Sequence, residues 1–322
     1  SGLTGVHDAG LSRREIEVLR ELDASGELKL RVYGMASPPG GREVEFVSTP
    51  PPAAKPNDRF RLRAIKMFID GAMGSRGGAL FEDYSDDPGN RGLILTEPAR
   101  LERITEAALR NGWQVCTHAI GDRGNRLVLD AYESALNKVP PADRAVSDPR
   151  LRIEHAQLVA LEDIPRFARL GVVASMQPTH ATTDMRWAED RVGPKRITGA
   201  YAWRRFLDAK GRLAFGSDFP VEQVSPLLGL YAAVTRQDLN GHPADGWLPD
   251  QRLTIDEALR AFTGGSAYAS FDETRLGVLR PGMLCDVTVF DLDLFDQSTT
   301  RIARAKVFAT VVAGEVIWGS SD

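Results

Sequence analysis

Short apolar runs alternate with longer amphipathic stretches along most of this 322-residue chain. Seven runs read as strands, at residues 3–7, 28–35, 62–70, 113–118, 151–155, 172–177 and 213–217. Most are near-continuously apolar, as strands covered on both faces are. Between them, helical periodicity marks residues 12–24, 98–111, 125–136, 161–170, 195–209, 224–237 and 254–270. Ser12 and Thr254 suit N-caps, the latter with Glu257 three residues on, and Gly112 and Gly171 suit C-terminal stops.

Alternating strand and helix predicts an α/β fold with a parallel sheet, and the number of units points to a (β/α)8 TIM barrel. Seven units are visible where a closed barrel of this type needs eight, so strand one is expected upstream of Ser1. The proline-rich stretch 47–58 (VSTPPPAAKPND) reads as a long connection rather than a domain linker. From Leu276 the pattern changes to β-branched runs with turn glycines and no helix, which predicts antiparallel strands of a small β-sandwich. The expected division is a barrel over 1–275 and part of a sandwich over 276–322.

Composition narrows the functional classes. With 43% hydrophobic and 26% charged residues, the chain is ordinary for a globular protein. A net charge of −4 and a pI near 5.8 provide no basic field for nucleic acid or anionic lipid. No apolar run reaches membrane-spanning length. Cys116 and Cys285 form no framework or CxxC pair, which suits a reducing, cytoplasmic setting. A targeting peptide upstream of Ser1 and self-association into a homo-oligomer are left open.

The chemistry-bearing residues close the strand runs: Lys66 in LRAIKMFIDG, His118 in WQVCTHAIGD, His155 in LRIEHAQ and Asp218 in LAFGSDFP. One donor at the carboxyl end of each of several strands is how a (β/α)8 barrel assembles a site on one rim. A lone histidine on an apolar strand is more often a core residue than a ligand, but two of them at strand ends favour metal ligation. Asp218 is read as a ligand or proton acceptor against the alternative of a turn carboxylate. Lys66 has two readings: an ammonium paired with Asp70 or Glu154, or an amine depressed by burial that adds carbon dioxide and bridges cations as a carbamate. Ser75, Arg76, Gln177 and His180 are candidates for substrate contact, with an ion pair for Arg76 and turn hydrogen bonding for Gln177 and His180 as the alternatives. Asp122 and Glu154 are candidates for orienting the histidines. The acidic segment 81–92 is either a lid or solvated surface.

Several long motifs in order strengthen this picture: KMFIDGAMGSRGGAL (66–80), HAIGD (118–122), RIEHAQ (152–157), SMQPTH (175–180), GSDFPV (216–221) and GVLRPGMLCDVTVFD (277–291). With them the chain resembles the amidohydrolase superfamily, on the branch of the YtcJ-like hydrolases and N-substituted formamide deformylases, from about Leu3 to Trp318. The resemblance implies a divalent metal, zinc by the nitrogen and oxygen donors, in one or two ions. It implies Lys66 as a carboxylated bridging ligand, His118 and His155 on the second metal, and Asp218 on the first metal and relaying a proton. Members also use a His-x-His pair, and the remaining histidines here, His7, His180 and His242, are isolated. The implied reaction is hydrolysis of a non-peptide C–N bond of a small-molecule substrate. Two other readings stand beside it: a piece active only with an upstream fragment of the same protein, and a non-catalytic ligand-binding barrel. Met185, Trp187, Trp203 and Phe219 suggest an apolar or arylalkyl substituent beside the scissile bond.

Overall fold

The computed structural model describes residues 1–295 and 299–319. Seven parallel strands, β1 (Gly5–Leu11), β2 (Arg31–Ala36), β3 (Phe60–Phe68), β4 (Gln114–Ala119), β5 (Arg152–His155), β6 (Val173–Met176) and β7 (Arg212–Phe215), lie side by side in chain order. Every expected strand is present. The expected eighth parallel strand is not among the described residues, and β1 and β7 are the two edges of the sheet.

The sheet is curled rather than flat. In a flat sheet, β1 and β5 would be roughly 19 Å apart at normal strand spacing. Instead Arg152 Nη1 on β5 lies 2.8 Å from His7 Nδ1 on β1, and Tyr33 on β2 donates to Gln114 Oε1 on β4 at 3.0 Å. These side chains, with Glu154 and Ser175, make a polar layer in the lumen. Arg152 Nη2 donates to Glu154 Oε2 at 3.0 Å and to Ser175 Oγ at 2.9 Å. Burial, and then the Arg152 charge, push the His7 imidazole down to about 3, so it is neutral and accepts from the guanidinium.

The helices cover the outer face: α1 (Arg13–Ser25), α2 (Glu43–Val47), α3 (Pro98–Asn111), α4 (Asp122–Lys138), α5 (Ile164–Leu170), α6 (Pro178–Asp184), α7 (Ala188–Arg196), α8 (Trp203–Asp208), α9 (Pro226–Thr235), α10 (Ile255–Arg260) and α11 (Ser266–Ala269). In α3 the buried set Leu101, Ile104, Thr105, Ala108 and Leu109 repeats at three- and four-residue spacing, placing one face on the sheet. Ser12 and Thr254 form capping boxes with Glu15 and Glu257, and Gly112 and Gly171 adopt left-handed C-caps.

One expected helix is broken by a close backbone approach, and another runs through with a local widening. The stretch 195–209 becomes the end of α7, a 3-10 turn at Ile197–Gly199 and α8. There Val159 N donates to Gly199 O and Tyr201 N to Gln157 O, and a Cβ at Gly199 would lie 2.1 Å from Val159 O. The stretch 254–270 carries a π turn at Ala261–Gly265 between α10 and α11, where Gly265 lets the helix approach Leu213 O on β7.

α11 and the segment after it seal the amino-terminal end of the sheet. Arg63 and Arg150 stack on the Phe271 ring at 3.7 and 4.6 Å, and Arg150 and Arg212 on Tyr268 at 3.9 and 4.1 Å. Arg61 pairs with Asp272 and Arg150 with Glu273. The carboxyl ends of the strands therefore form the open end.

The tail forms an antiparallel sheet, β8 (Val287–Phe290), β9 (Val307–Val312) and β10 (Glu315–Gly319), with β9 central. A bidentate Arg31–Asp286 pair at 2.8 and 3.0 Å and an Arg59–Glu315 pair join it to the parallel sheet. Residues 296–298 and 320–322 of the expected second domain lie outside the described residues. No described helix is long and apolar enough to cross a membrane.

The Arg152–Glu154 pair is buried, so removing one partner strands a charge. Arg152→Met should destabilise the chain by about 3–5 kcal/mol, with Arg152→Met/Glu154→Leu recovering most of the loss. Urea unfolding of both variants checks this, and equal instability of single and double variants would contradict it.

Candidate metal centre

Five consecutive strand ends deliver polar side chains to one rim. Lys66 lies two residues before the end of β3, His118 one before the end of β4, and His155 ends β5. Gln177 follows β6 directly, His180 sits in the first turn of α6, and Asp218 lies three residues past β7. His155 and Asp218 leave the extended strand through left-handed backbone, φ 74° and 59°, a conformation uncommon for residues with a side chain.

The tightest convergence is of His155, His180 and Asp218, whose ligating atoms all lie within 4.8 Å of one another. His180 Nε2 is 3.2 Å from Asp218 Oδ2, and His180 Nδ1 is 3.5 Å from Glu222 Oε1. Gln177 Oε1 accepts from His155 Nδ1 at 2.8 Å, which turns the Nε2 lone pair of His155 outward as an available donor. Two imidazoles and a carboxylate suit a borderline divalent cation such as zinc.

His118 and Lys66 flank this set. The His118 ring centroid is 4.6 Å from that of His155, but its Nε2 faces Asp70, 3.6 Å from Oδ1 and without a hydrogen-bond partner. Lys66 is 7% exposed, and its Nζ lies 4.6 Å from the Phe68 ring centroid. Neither carboxylate considered as its partner pairs with it: Asp70 accepts from the backbone N–H groups of Ala79, Ile120 and Gly121, and Glu154 is held by Arg152.

Electrostatics follow the geometry. Burial, then the Lys66 charge, push His118 down to about 4, and burial followed by His118 depresses His155. Both rings are neutral and able to ligate. For His180, burial opposes the charge, but hydrogen bonds to Asp218 and Glu222 outweigh it and raise the imidazole to about 9. Burial likewise pulls the Asp218 carboxyl upward, and the His180 hydrogen bond with the surrounding cationic groups overcomes it and holds that carboxyl below its usual range. A proton thus sits between His180 and Asp218, where a cation would serve the same electrostatic need.

Four expected contacts are placed elsewhere. Ser75 Oγ donates to Ala72 O, and Arg76 makes a bidentate pair with Asp86. Asp122 Oδ1 accepts from Phe81 N and Arg123 N at the start of α4 instead of touching a histidine. Glu154 also touches neither His118 nor His155. The acidic segment 81–92 is tied to α7: Arg191 pairs with Asp86, Ser85 N donates to Arg191 O, and Arg196 donates to the Glu82 and Asp83 carbonyls.

A small pocket beside the cluster is lined by His155, Gln157, Met176, Gln177, His180, Tyr201 and Trp203. Its polar wall is a network in which Gln157 Nε2 donates to Tyr201 Oη at 2.6 Å and Tyr201 donates to Asp184. Glu222 and Asp184 escape a sequence reading because they face the site only after the loops fold, and Asp70 enters it only as a partner for Lys66.

Comparison with known proteins accords with this rim. A family profile described as the amidohydrolase family matches residues 1–318. The chain belongs to the amidohydrolase family. Protein LONG AFTER FAR-RED 3 of Arabidopsis thaliana is 37% identical over 258 residues, 80% of this chain and 43% of that protein. The N-substituted formamide deformylase of Arthrobacter pascens is 27% identical over 328 residues, 97% of this chain and 57% of that protein. An uncharacterized metal-dependent hydrolase of Pyrococcus horikoshii superposes with a TM-score of 0.74 at 31% identity, covering 86% of this chain and 54% of that one. This amidohydrolase chain spans about half the length of the curated relatives it matches.

The His180 charge has a sign that can be checked in the metal-free amidohydrolase. Its folded pKa is raised from 6.5 to about 9, so its stabilisation is complete below 6.5 and is lost as pH rises through 9. Unfolding of EDTA-treated protein should show stability falling on the order of 3 kcal/mol over that window. His180→Gln should flatten that limb, and an unchanged slope in the variant would exclude His180 as its source.

Proposed function

We propose that this chain carries the catalytic rim of a metal-dependent hydrolase that cleaves an amide- or formamide-type C–N bond in a small molecule. The observation that carries this reading is the convergence of His155, His180 and Asp218 at the open end of the sheet. The residues present fit a divalent cation, zinc by donor chemistry, with His118 adjoining the set and Lys66 as a further ligand once its amine has added carbon dioxide and released a proton.

A cation bound there would supply an activated water and polarise the substrate carbonyl. The remaining steps belong to the protein. Asp218 Oδ2 accepts the proton of the attacking water and returns it to the departing nitrogen. Gln177 holds His155 in the tautomer that ligates. Glu222 holds His180 from the side opposite Asp218. The family resemblance also implies a His-x-His pair as ligands of the first metal.

An apolar or arylalkyl substituent fits the surroundings. Phe219, 63% exposed, follows Asp218, and Phe68, 41% exposed, stands over Lys66 and beside His118. The name of the deformylase relative supports an N-substituted formamide as the first substrate to try.

The test is turnover of N-benzylformamide, N-acyl amino acids and cyclic ureas by native, chelator-stripped and zinc-restored protein. Activity should vanish on stripping, return with zinc and favour the apolar amide, and Asp218→Asn should lower kcat by about 10²- to 10⁴-fold. Turnover that survives complete metal removal, or that is confined to small charged substrates, would refute the corresponding part.

A further inference from the structure

Asp70 is fully buried just beyond β3, and three backbone N–H groups converge on its carboxylate. Oδ2 accepts from Ala79 N and Gly121 N at 2.8 Å each, and Oδ1 accepts from Ile120 N at 2.9 Å. His118 Nε2 lies 3.6 Å from that same Oδ1, about half an ångström beyond hydrogen-bond length. The first turn of α4 packs against the carboxylate so closely that a Cβ at Gly124 would stand 2.4 Å from Oδ2. An ionised carboxylate accepts only, whereas an amide in this place would turn its own NH2 against N–H donors whichever way it were rotated.

We propose that Asp70 is a positioning residue for His118. It takes the Nε2–H of the ring, fixes the tautomer whose lone pair is on Nδ1, and thereby sets Nδ1 as the atom that meets a cation. Asp70 also fastens the loop after β3 and the loop after β4 to each other, so the ring and its backbone are held by one group. His118 is thus the counterpart of His155, with a carboxylate in place of Gln177 as the orienting acceptor. The cation part of this inference rests on the metal-dependent reading above, and the tautomer part does not.

Two measurements test it on the full chain. In metal-free protein labelled with ¹⁵N-histidine, long-range ¹H–¹⁵N correlation should show His118 as the Nε2–H tautomer, and Asp70→Asn should shift the ring toward Nδ1–H. In zinc titrations, Asp70→Asn should weaken binding about 10- to 100-fold in the native background. In a His118→Ala background, the same change should alter affinity by no more than about twofold, the range expected of uncoupled sites. An Nδ1–H tautomer in the native protein, or equal losses of affinity in both backgrounds, would overturn the assignment. If Asp70→Asn does not fold, the native tautomer alone decides. If the native chain binds no zinc, the functional reading fails while the tautomer still decides the role of Asp70.

Discussion

Arg152 reaches across the lumen from β5 to His7 on β1, and the curl that this contact requires is what makes a common site attainable. Residues on β3 and β7 are four strands apart in the sheet, and only a curved sheet lets their carboxyl ends face one another. A guanidinium suits the task because it offers several donors in a fixed plane. One edge meets Glu154 and Ser175 on its own side, and another reaches the neutral imidazole opposite. The lumen is therefore polar where it lies beneath the rim, and the ion pair there holds Glu154 apart from the ligand set.

The rim itself shows how one sheet produces groups of opposite character within a few ångströms. His155 and His118 are buried beside other cationic groups and lose their protons, while His180 keeps one because two carboxylates face its two nitrogens. Neutral donors, an anion and a proton held between them form a set prepared for exchange of that proton with a metal. Loop residues stand against the rings: Gln177 against His155, Glu222 against His180 and Asp70 beside His118.

Much of this was legible in the order of residues. All seven strands and the strand-end positions of Lys66, His118 and His155 followed from apolar runs that stop at a polar donor. The capping boxes at Ser12 and Thr254 were equally local signals. What was not legible depends on long-range approach. The break at Gly199 and the π turn that ends at Gly265 lie where their backbones approach Val159 O and Leu213 O, which no helical periodicity reports. His180 looked like a residue at the edge of the pocket because its partners, Asp218 and Glu222, come from a loop about 40 positions later. Of the two readings left for Arg76, substrate contact or an ion pair, the second holds, with Asp86 ten residues on folding back to it.

The aromatic and arginine stack beneath the sheet has a consequence for traffic. With Tyr268 and Phe271 wedged among Arg63, Arg150 and Arg212, the lumen has a floor. His155 and Asp218 stand at the opposite, carboxyl end. A ligand held between them would enter and leave past the loops framing that end, which makes those loops as consequential for exchange as the side chains are for contact.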